Sequence, residues 1–382
     1  MKYNLKRIFI ISGEKSGDII ADGIIKKIKE QFPNCEIRGI GDESFSLNGL
    51  KSIFDQKEIS IMGLFEILPK LWKILKLIKL TTEEIIKFNP EHIITIDSPG
   101  FNFTIVKKIK NKIKKTHLKC KIHHIVAPSV WAYKKSRAQK IAKLYDTLFC
   151  ILPFETQYFT PFGLNAIFVG YPPAKRMEEI KKNILHNTKE DIANKQISIT
   201  LGSRISEVQR HLPILKNTIA ILNAKFSNLE FKILTLPHLV NLIDKEFSPF
   251  VNVQIISSDE EKWKAVAKSY FVLAKSGTNV MEFAILGTPS IVFYKASFVT
   301  EAIFTLLAYT KFVTLLNFTA NKYIFPEFLR SNVKSELIAK QVEIWLENPN
   351  LVHYIITEMT MELKKFESKN NLEQVIVNEI CK

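Results

Sequence analysis

Arginine is scarce in this chain. Only seven of its 54 basic residues are Arg, at positions 7, 38, 137, 176, 204, 210 and 330, and the rest are Lys. The formal net charge is nevertheless +16, a surplus that suggests nucleic acid, anionic lipid or phosphorylated ligands. Nucleic-acid readers rely on the bidentate guanidinium, so an Arg-poor chain fits that class badly. Lys, Ile and Asn are abundant together, which points to an AT-rich coding bias. Part of the charge is therefore compositional, and the few Arg gain weight. Cysteine is equally sparse. The four Cys, at 35, 120, 150 and 381, form no C-x-x-C pair and no Cys–His group with zinc spacing. A disulfide framework and a zinc module are excluded, and free thiols in a reducing compartment are expected. No run of about 18 uncharged apolar residues occurs, so no transmembrane helix is expected. The basic and then apolar start, Met1–Ile11, leads into Ser12-Gly13-Glu14 rather than a cleavage site, and reads as a strand instead of a signal peptide. G-x-G-x-x-G, Walker A and D-x-D motifs are also missing, so neither a dinucleotide fingerprint nor a metal-bridged diphosphate is indicated.

What is present is an alternation of short apolar runs with helical patterns. Strands are expected at 7–11, 36–40, 92–96, 121–126, 147–152 and 166–169. Helices are expected at 18–31, 65–88, 103–115 and 136–144. The pattern pauses at Gly170-Tyr171-Pro172-Pro173 and restarts, with strands at 196–201, 231–236, 253–256, 270–274 and 290–293 and helices between them. The chain from about 334 onward reads as helical. This is the signature of two α/β units with parallel sheets, and 382 residues suit two domains. A ligand is expected in a crevice between the units, at the carboxyl ends of the strands.

Four loops follow strands and carry polar groups. Ser12–Asp18 (SGEKSGD) offers Glu14, Ser16 and Asp18 to a polar substrate, although Ser16 or Asp18 could instead cap the following helix. Asp97 ends an apolar strand before Ser98-Pro99-Gly100-Phe101-Asn102. It stands where active-site carboxylates of α/β folds often stand, and too far ahead of the expected helix for a simple cap. Gly202-Ser203-Arg204 combines a glycine turn at a helix N-terminus with a fixed guanidinium, which suits a phosphate or pyrophosphate. The opposing reading is a surface Arg204 paired with Glu207. Ser276-Gly277-Thr278 offers a second helix N-terminus, with Glu282 one turn on, where a carboxylate can accept ribose hydroxyls. Both loops in one unit suggest a nucleotide-diphosphate site. His123, His124, His211 and His238 lack metal-like spacing and read as solvated or core histidines.

The stretch Pro69–Leu80 (PKLWKILKLIKL) is amphipathic in an unusual way. Leu71, Ile74, Leu75 and Ile78 form one stripe at helical spacing, while Trp72, Leu77 and Leu80 lie among Lys70, Lys73, Lys76 and Lys79. It reads either as a membrane-interfacial helix or as a core helix with snorkelling lysines. Met62, Leu64 and Phe65 just upstream favour contact with membrane or acyl chains. Lys107–Lys121 holds eight lysines, mostly a solvated face that could also attract anionic lipid.

These loops, in this order, resemble those of the lipid-A-disaccharide synthases, inverting glycosyltransferases with two Rossmann-like domains facing a cleft (the GT-B architecture). The matching stretches are 12–18, IMGLFEIL (61–68), IDSPGFN (96–102), APSVWAY (127–133), LPFE (152–155) and FVGYP (168–172). They continue with GSR (202–204), SGT (276–278) with Glu282, LN (316–317) and PEFL (326–329). The family usually has Asp where Gly100 stands, Pro where Leu201 stands and His where Tyr171 stands.

The resemblance implies an acceptor and membrane domain at 1–172, a UDP-sugar domain at 173–345 and a helical segment at 346–382 packing back on the first domain. It implies transfer of 2,3-diacylglucosamine from UDP to 2,3-diacylglucosamine 1-phosphate, yielding lipid A disaccharide 1-phosphate in the lipopolysaccharide route of Gram-negative bacteria. Asp97 would be the general base, with Glu14 or Asp18 as alternatives. Ser16 would contact substrate. Gly202, Ser203, Arg204, Ser276, Gly277 and Thr278 would hold the departing UDP, Glu282 the ribose, and Asn317 would face the cleft near the donor. Met62, Leu64, Phe65, Leu71, Trp72, Leu75, Lys76 and Leu77 would meet membrane or acyl chains. No cofactor or metal is implied, the location would be the cytoplasmic face of the inner membrane, and a homodimer is a possible assembly. Competing readings are another GT-B enzyme such as a UDP-sugar 2-epimerase, or a non-enzymatic basic RNA- or membrane-binding protein.

Overall fold

The structure, a computed structural model, describes residues 5–59, 64–113, 119–132, 136–185, 195–296, 310–368 and 371–382, apart from the side chains of 64–70 and 185. The chain divides into two compact units, Met1–Pro172 with Ser368–Lys382 and Pro173–Glu367.

The first unit holds a six-stranded sheet of β1 (Arg7–Ser12), β2 (Glu36–Ile40), β3 (His92–Ile96), β4 (Lys121–Ile125), β5 (Thr147–Cys150) and β6 (Asn165–Phe168), in the order β2-β1-β3-β4-β5-β6. Every pairing is parallel. Such a sheet must be covered on both faces, and successive residues serve opposite faces. Phe9, Ile11 and Ile93 pack into one core with Ile78, Ile85 and Ile105. Ile8, Ile10, Ile94 and Ile96 pack into the other with Ile20, Ile24 and Ile28.

The terminal helix Leu372–Ile380 adds Ile376, Val377 and Ile380 to that second core. The helix Pro349–Leu363 instead packs against helices of the second unit. The expected return segment of 346–382 is therefore corrected: it begins at Ser368, because the apolar side of 349–363 is already buried in unit two.

The second sheet comprises β7 (Lys195–Thr200), β8 (Leu229–Leu234), β9 (Val253–Ile256), β10 (Phe271–Lys275), β11 (Ser290–Tyr294) and β12 (Glu327–Leu329). Its order is β12-β11-β10-β7-β8-β9, again all parallel.

Two helices begin earlier than their patterns suggest. One runs Lys15–Gln31, and another runs Pro99–Ile113, with Pro99 in the first position, where a missing N–H costs nothing.

Histidines of β3 and β4 are locked in the first sheet. His92 Nδ1 lies 3.0 Å from His123 Nε2, and Thr95 Oγ1 lies 2.7 Å from His124 Nδ1. Burial lowers their pKa values to about 4 for His92 and about 3 for His123 and His124. The unfolded chain, with an ordinary His pKa near 6.5, therefore binds protons that the folded chain excludes. Stability is full above that value and is lost as pH falls through it towards 4, at about 1.4 kcal/mol per group per pH unit. The melting temperature should fall steeply between pH 6.5 and 4.5. An unchanged transition over that range would show that these rings can charge in place.

Candidate functional site

Strand order locates the site before any side chain is considered. In the first unit the chain starts at β1, builds outward to β2, then reverses to β3 and onward, so the sheet's switch point lies between β1 and β3. Loops leave the carboxyl ends of two such strands in opposite directions and open a crevice for ligand. The loops there are Gly13–Glu14 and Asp97–Ser98. In the second unit the reversal falls between β7 and β10, and the loops there are Gly202–Arg204 and Ser276–Thr278. All four loops singled out in the sequence thus stand at switch points.

In the first unit the β1 and β3 loops touch. A side chain at Gly13 would lie 2.1 Å from Ser98 Oγ, so glycine permits close approach here rather than an unusual turn. Ser98 Oγ donates to Glu14 Oε1 at 3.4 Å. Asp97 and Ser98 both adopt left-handed backbone, with φ of 52° and 43°. Consecutive residues in that region are uncommon, and such strain concentrates at active sites. Buried Asn102 holds the strained turn by donating to Asp97 O at 2.7 Å and Ile96 O at 3.3 Å. Gln56 holds the opposite loop by donating to both Ser12 O and Ser12 Oγ at 3.0 Å. Asp97 accepts from Ser98 N at 2.9 Å, a contact outside the helix that begins at Pro99.

The carboxylates have altered acidity. Burial raises the pKa of Asp97, against a smaller opposing effect of the Ser98 N–H. Burial also raises that of Glu14, and the neighbouring Asp97 charge raises it further. Two half-buried acids at one switch point are a proton-transfer arrangement. Ser16 is exposed in the first helical turn beside them.

Asp18 does not join this pair, which corrects its place among the candidate bases. It is buried, and its carboxylate accepts from Asp42 N (3.0 Å), Ser44 N (2.8 Å) and Ser44 Oγ (2.5 Å). With its oxygens so engaged, it caps the short helix Glu43–Leu47.

In the second unit Gly202 has φ 121°, and a side chain there would meet Glu207 Oε2 at 2.7 Å. Ser203 and Arg204 are exposed at the loop tip, and Arg204 is the N-cap residue of the helix Ile205–Asn223. Glu207 pairs with Lys275 Nζ at 3.3 Å across the switch point. Lys275 Nζ also sits 5.2 Å from the Tyr294 ring centre. Burial raises the pKa of Tyr294 and the Glu207 charge raises it further, against smaller opposing effects of the nearby Arg210 and Arg204. Thr200 Oγ1 accepts from Lys275 N at 3.2 Å and from Asn279 Nδ2 at 3.4 Å, tying β7 to the second loop. Ser276 is half-buried; Gly277 and Thr278 are exposed ahead of the helix Asn279–Leu286. Cations and a helix N-terminus at one crevice suit an anionic ligand. Glu282 is half-buried, and its pKa is raised by burial against the opposing charges of Lys262 and Arg176.

Asn317 does not face a ligand. It is fully buried, donates to Phe325 O and Glu327 Oε1, and accepts from Ile324 N and Phe325 N. These bonds exhaust the side chain's donors and use both lone pairs of its oxygen. Its expected donor-binding role is corrected to a clamp on the segment leading into β12.

Met62 lies outside the described residues, as do the side chains of Leu64 and Phe65. In the helix Leu64–Phe88, Trp72 is 79% exposed, Leu71 42% and Leu75 41%, with Lys76 exposed beside them. Leu77 is 8% exposed and joins the core with Ile78. The buried stripe is therefore rotated from the expected one: Leu77 is core, while Leu71 and Leu75 share the outer face with Trp72. Among the described residues no helix is long and apolar enough to cross a membrane, and no group of three His, Cys, Asp or Glu gathers as for a metal.

Gln56, Asn102, Lys275, Arg210 and His211 were not recognised from sequence as site residues. His211 alone left a usable signal, since Arg204, Glu207 and His211 recur at helical spacing.

The family model of lipid-A-disaccharide synthetase matches residues 8–380. A lipid-A-disaccharide synthase of Rickettsia bellii is 39% identical over 374 residues, covering 96% of both chains. One of Rickettsia prowazekii is 37% identical over 370 residues, again covering 96% of both. Among solved structures, the UDP-GlcNAc 2-epimerase of Neisseria meningitidis, bound to UDP-GlcNAc, aligns with a TM-score of 0.62 at 15% identity, covering 98% of this chain and 99% of that one. Acinetobacter baumannii MurG aligns with a TM-score of 0.58 at 13% identity, covering 98% and 99%. At that identity the likeness establishes the shared fold alone, whereas the full-length relatives establish kinship. The chain belongs to the lipid-A-disaccharide synthase family.

Proposed function

We propose that the chain condenses UDP-2,3-diacylglucosamine with 2,3-diacylglucosamine 1-phosphate, releasing UDP and forming the β(1→6)-linked disaccharide 1-phosphate with inversion. The observation that carries the reading is the Asp97–Glu14 carboxylate pair at a switch point of a chain matched by the family over residues 8–380. Asp97 takes the proton of the acceptor 6-hydroxyl as its oxygen attacks the anomeric carbon. The bond from that carbon to the β-phosphate oxygen breaks, and its electron pair leaves with UDP. Burial suits Asp97 to this step, because a carboxylate with a raised pKa is a stronger base. Ser16 lies at the acceptor side.

Arg204, the Gly202–Ser203 turn and the Ser276-Gly277-Thr278 helix start stabilise the charge developing on the diphosphate. Glu282 accepts hydrogen bonds from ribose hydroxyls. The epimerase reading draws on fold likeness at 15% identity, while relatives at 37–39% favour the synthase. Mass spectrometry of the product from donor plus lipid acceptor separates the two: a disaccharide supports the synthase, and an isomerised UDP-sugar without coupling refutes it.

Diacylated substrates require access to a lipid surface. Leu71, Trp72 and Leu75 beside Lys76 form the docking face on the inner leaflet, since a basic helix with an exposed Trp suits an anionic interface. Replacing Trp72 and Leu75 by Ser should weaken partitioning onto anionic vesicles at least about tenfold. Equal partitioning of the variant would remove this face from the proposal. Leu77 is unsuited to the test, because its replacement would damage the core.

A further inference from the structure

Two adjacent residues of the helix Ile205–Asn223 join the ends of separate strands. His211 is fully buried. Its Nδ1 lies 2.6 Å from Leu201 O, and its Nε2 lies 3.1 Å from Lys295 N. A carbonyl oxygen only accepts and a backbone N–H only donates, so these partners require a neutral ring with its proton on Nδ1. Burial, which lowers the ring's pKa, favours that same form. Arg210 Nη1 donates to Lys295 O at 3.2 Å. Residue 295 is thus held at its N–H by His211 and at its carbonyl by Arg210. Leu201 directly precedes the Gly202–Arg204 loop. Lys295 directly follows Tyr294 at the end of β11, whose neighbour β10 leads into Ser276–Thr278. The Phe293 ring stands edge-on to the imidazole at 5.2 Å and fixes its plane.

We propose that His211 and Arg210 form a positioning clamp for donor binding, setting the Gly202–Arg204 loop against Tyr294 at the diphosphate site. The inference rests on the reading of that loop as a diphosphate site. It assigns no contact with the reacting atoms to His211; the ring acts through Leu201 and Lys295. Losing it would release both strand ends at once and let Arg204 drift from the position in which it meets the phosphate.

The test compares wild type with His211→Ala, His211→Asn and Arg210→Met, measuring UDP affinity by calorimetry and donor KM, acceptor KM and kcat by turnover. His211→Ala should weaken UDP binding and raise donor KM by about tenfold or more, with acceptor KM unchanged. Asn keeps a donor for Leu201 O and should recover part of the loss, and Arg210→Met should fall between Ala and wild type. A ring needed only for packing would lower the melting temperature while folded variants kept wild-type UDP affinity, and that result overturns the clamp. Should His211→Ala fail to fold, the Asn and Met variants decide on the same criterion. Wild type that binds no UDP would refute the diphosphate reading and the clamp together, whereas wild-type binding matched by every variant would refute the clamp alone.

Discussion

Asp97→Asn should lower kcat by roughly 10²–10⁴-fold, the range expected for loss of a positioned general base, while the protein folds and binds UDP as wild type does. The substitution isolates the chemistry. Asn tolerates the left-handed backbone that residue 97 adopts, and its amide oxygen can still accept from the Ser98 N–H. What is lost is the capacity to take a proton. The wild-type enzyme should also show its acid limb in kcat/KM above the ordinary Asp value near 3.9, because burial raises Asp97. Activity should therefore rise with pH through that limb, as the base loses its proton. A folded Asp97→Asn variant turning over at close to the wild-type rate would transfer the base role to Glu14, whose pKa is raised by the same burial and by Asp97 itself.

Arg204→Ala should cost on the order of 10²–10³ in kcat/KM for the UDP-sugar, comparable to removing one preorganised donor from a developing anion. The backbone can tolerate the change: Arg204 is extended, with φ −110° and ψ 138°, and its side chain makes no cap hydrogen bond. Lys at this position should recover only part of the loss, since an ammonium supplies charge without the planar fork. Unchanged donor KM and kcat in Arg204→Ala would remove the guanidinium from the diphosphate site and leave the helix starts and Lys275 as its electrostatic partners.

The parallel sheets were readable because their strands are short apolar runs set between helical periods, as in β3, where every residue is buried. The loops at the switch points were readable for a related reason: a polar residue directly after such a run has left the sheet at its carboxyl end. What the sequence concealed depends on contacts across distance. Asp18 looks like a site acid until the Asp42–Ser44 backbone is seen to use its oxygens. Asn317 looks like a ligand until the chain returning through Ile324 and Phe325 surrounds it. The phase of the helix bearing Trp72 could not be read from periodicity, because Leu and Ile occur on both sides of it and the core contacts alone select Leu77 and Ile78. The helix beginning at Pro99 starts ahead of the pattern at 103–115, because the Pro99, Gly100 and Asn102 of its first turn carry no apolar helical period. A Cβ added at Gly100, where the family usually has Asp, would meet nothing within 4 Å.

The most direct measurement follows UDP release from UDP-2,3-diacylglucosamine on vesicles, with and without 2,3-diacylglucosamine 1-phosphate. Release that depends on the acceptor, matched mole for mole by disaccharide 1-phosphate and abolished to background by Asp97→Asn, is the predicted result. UDP release that is indifferent to the acceptor, or none in its presence with a folded wild-type protein, would contradict the assignment.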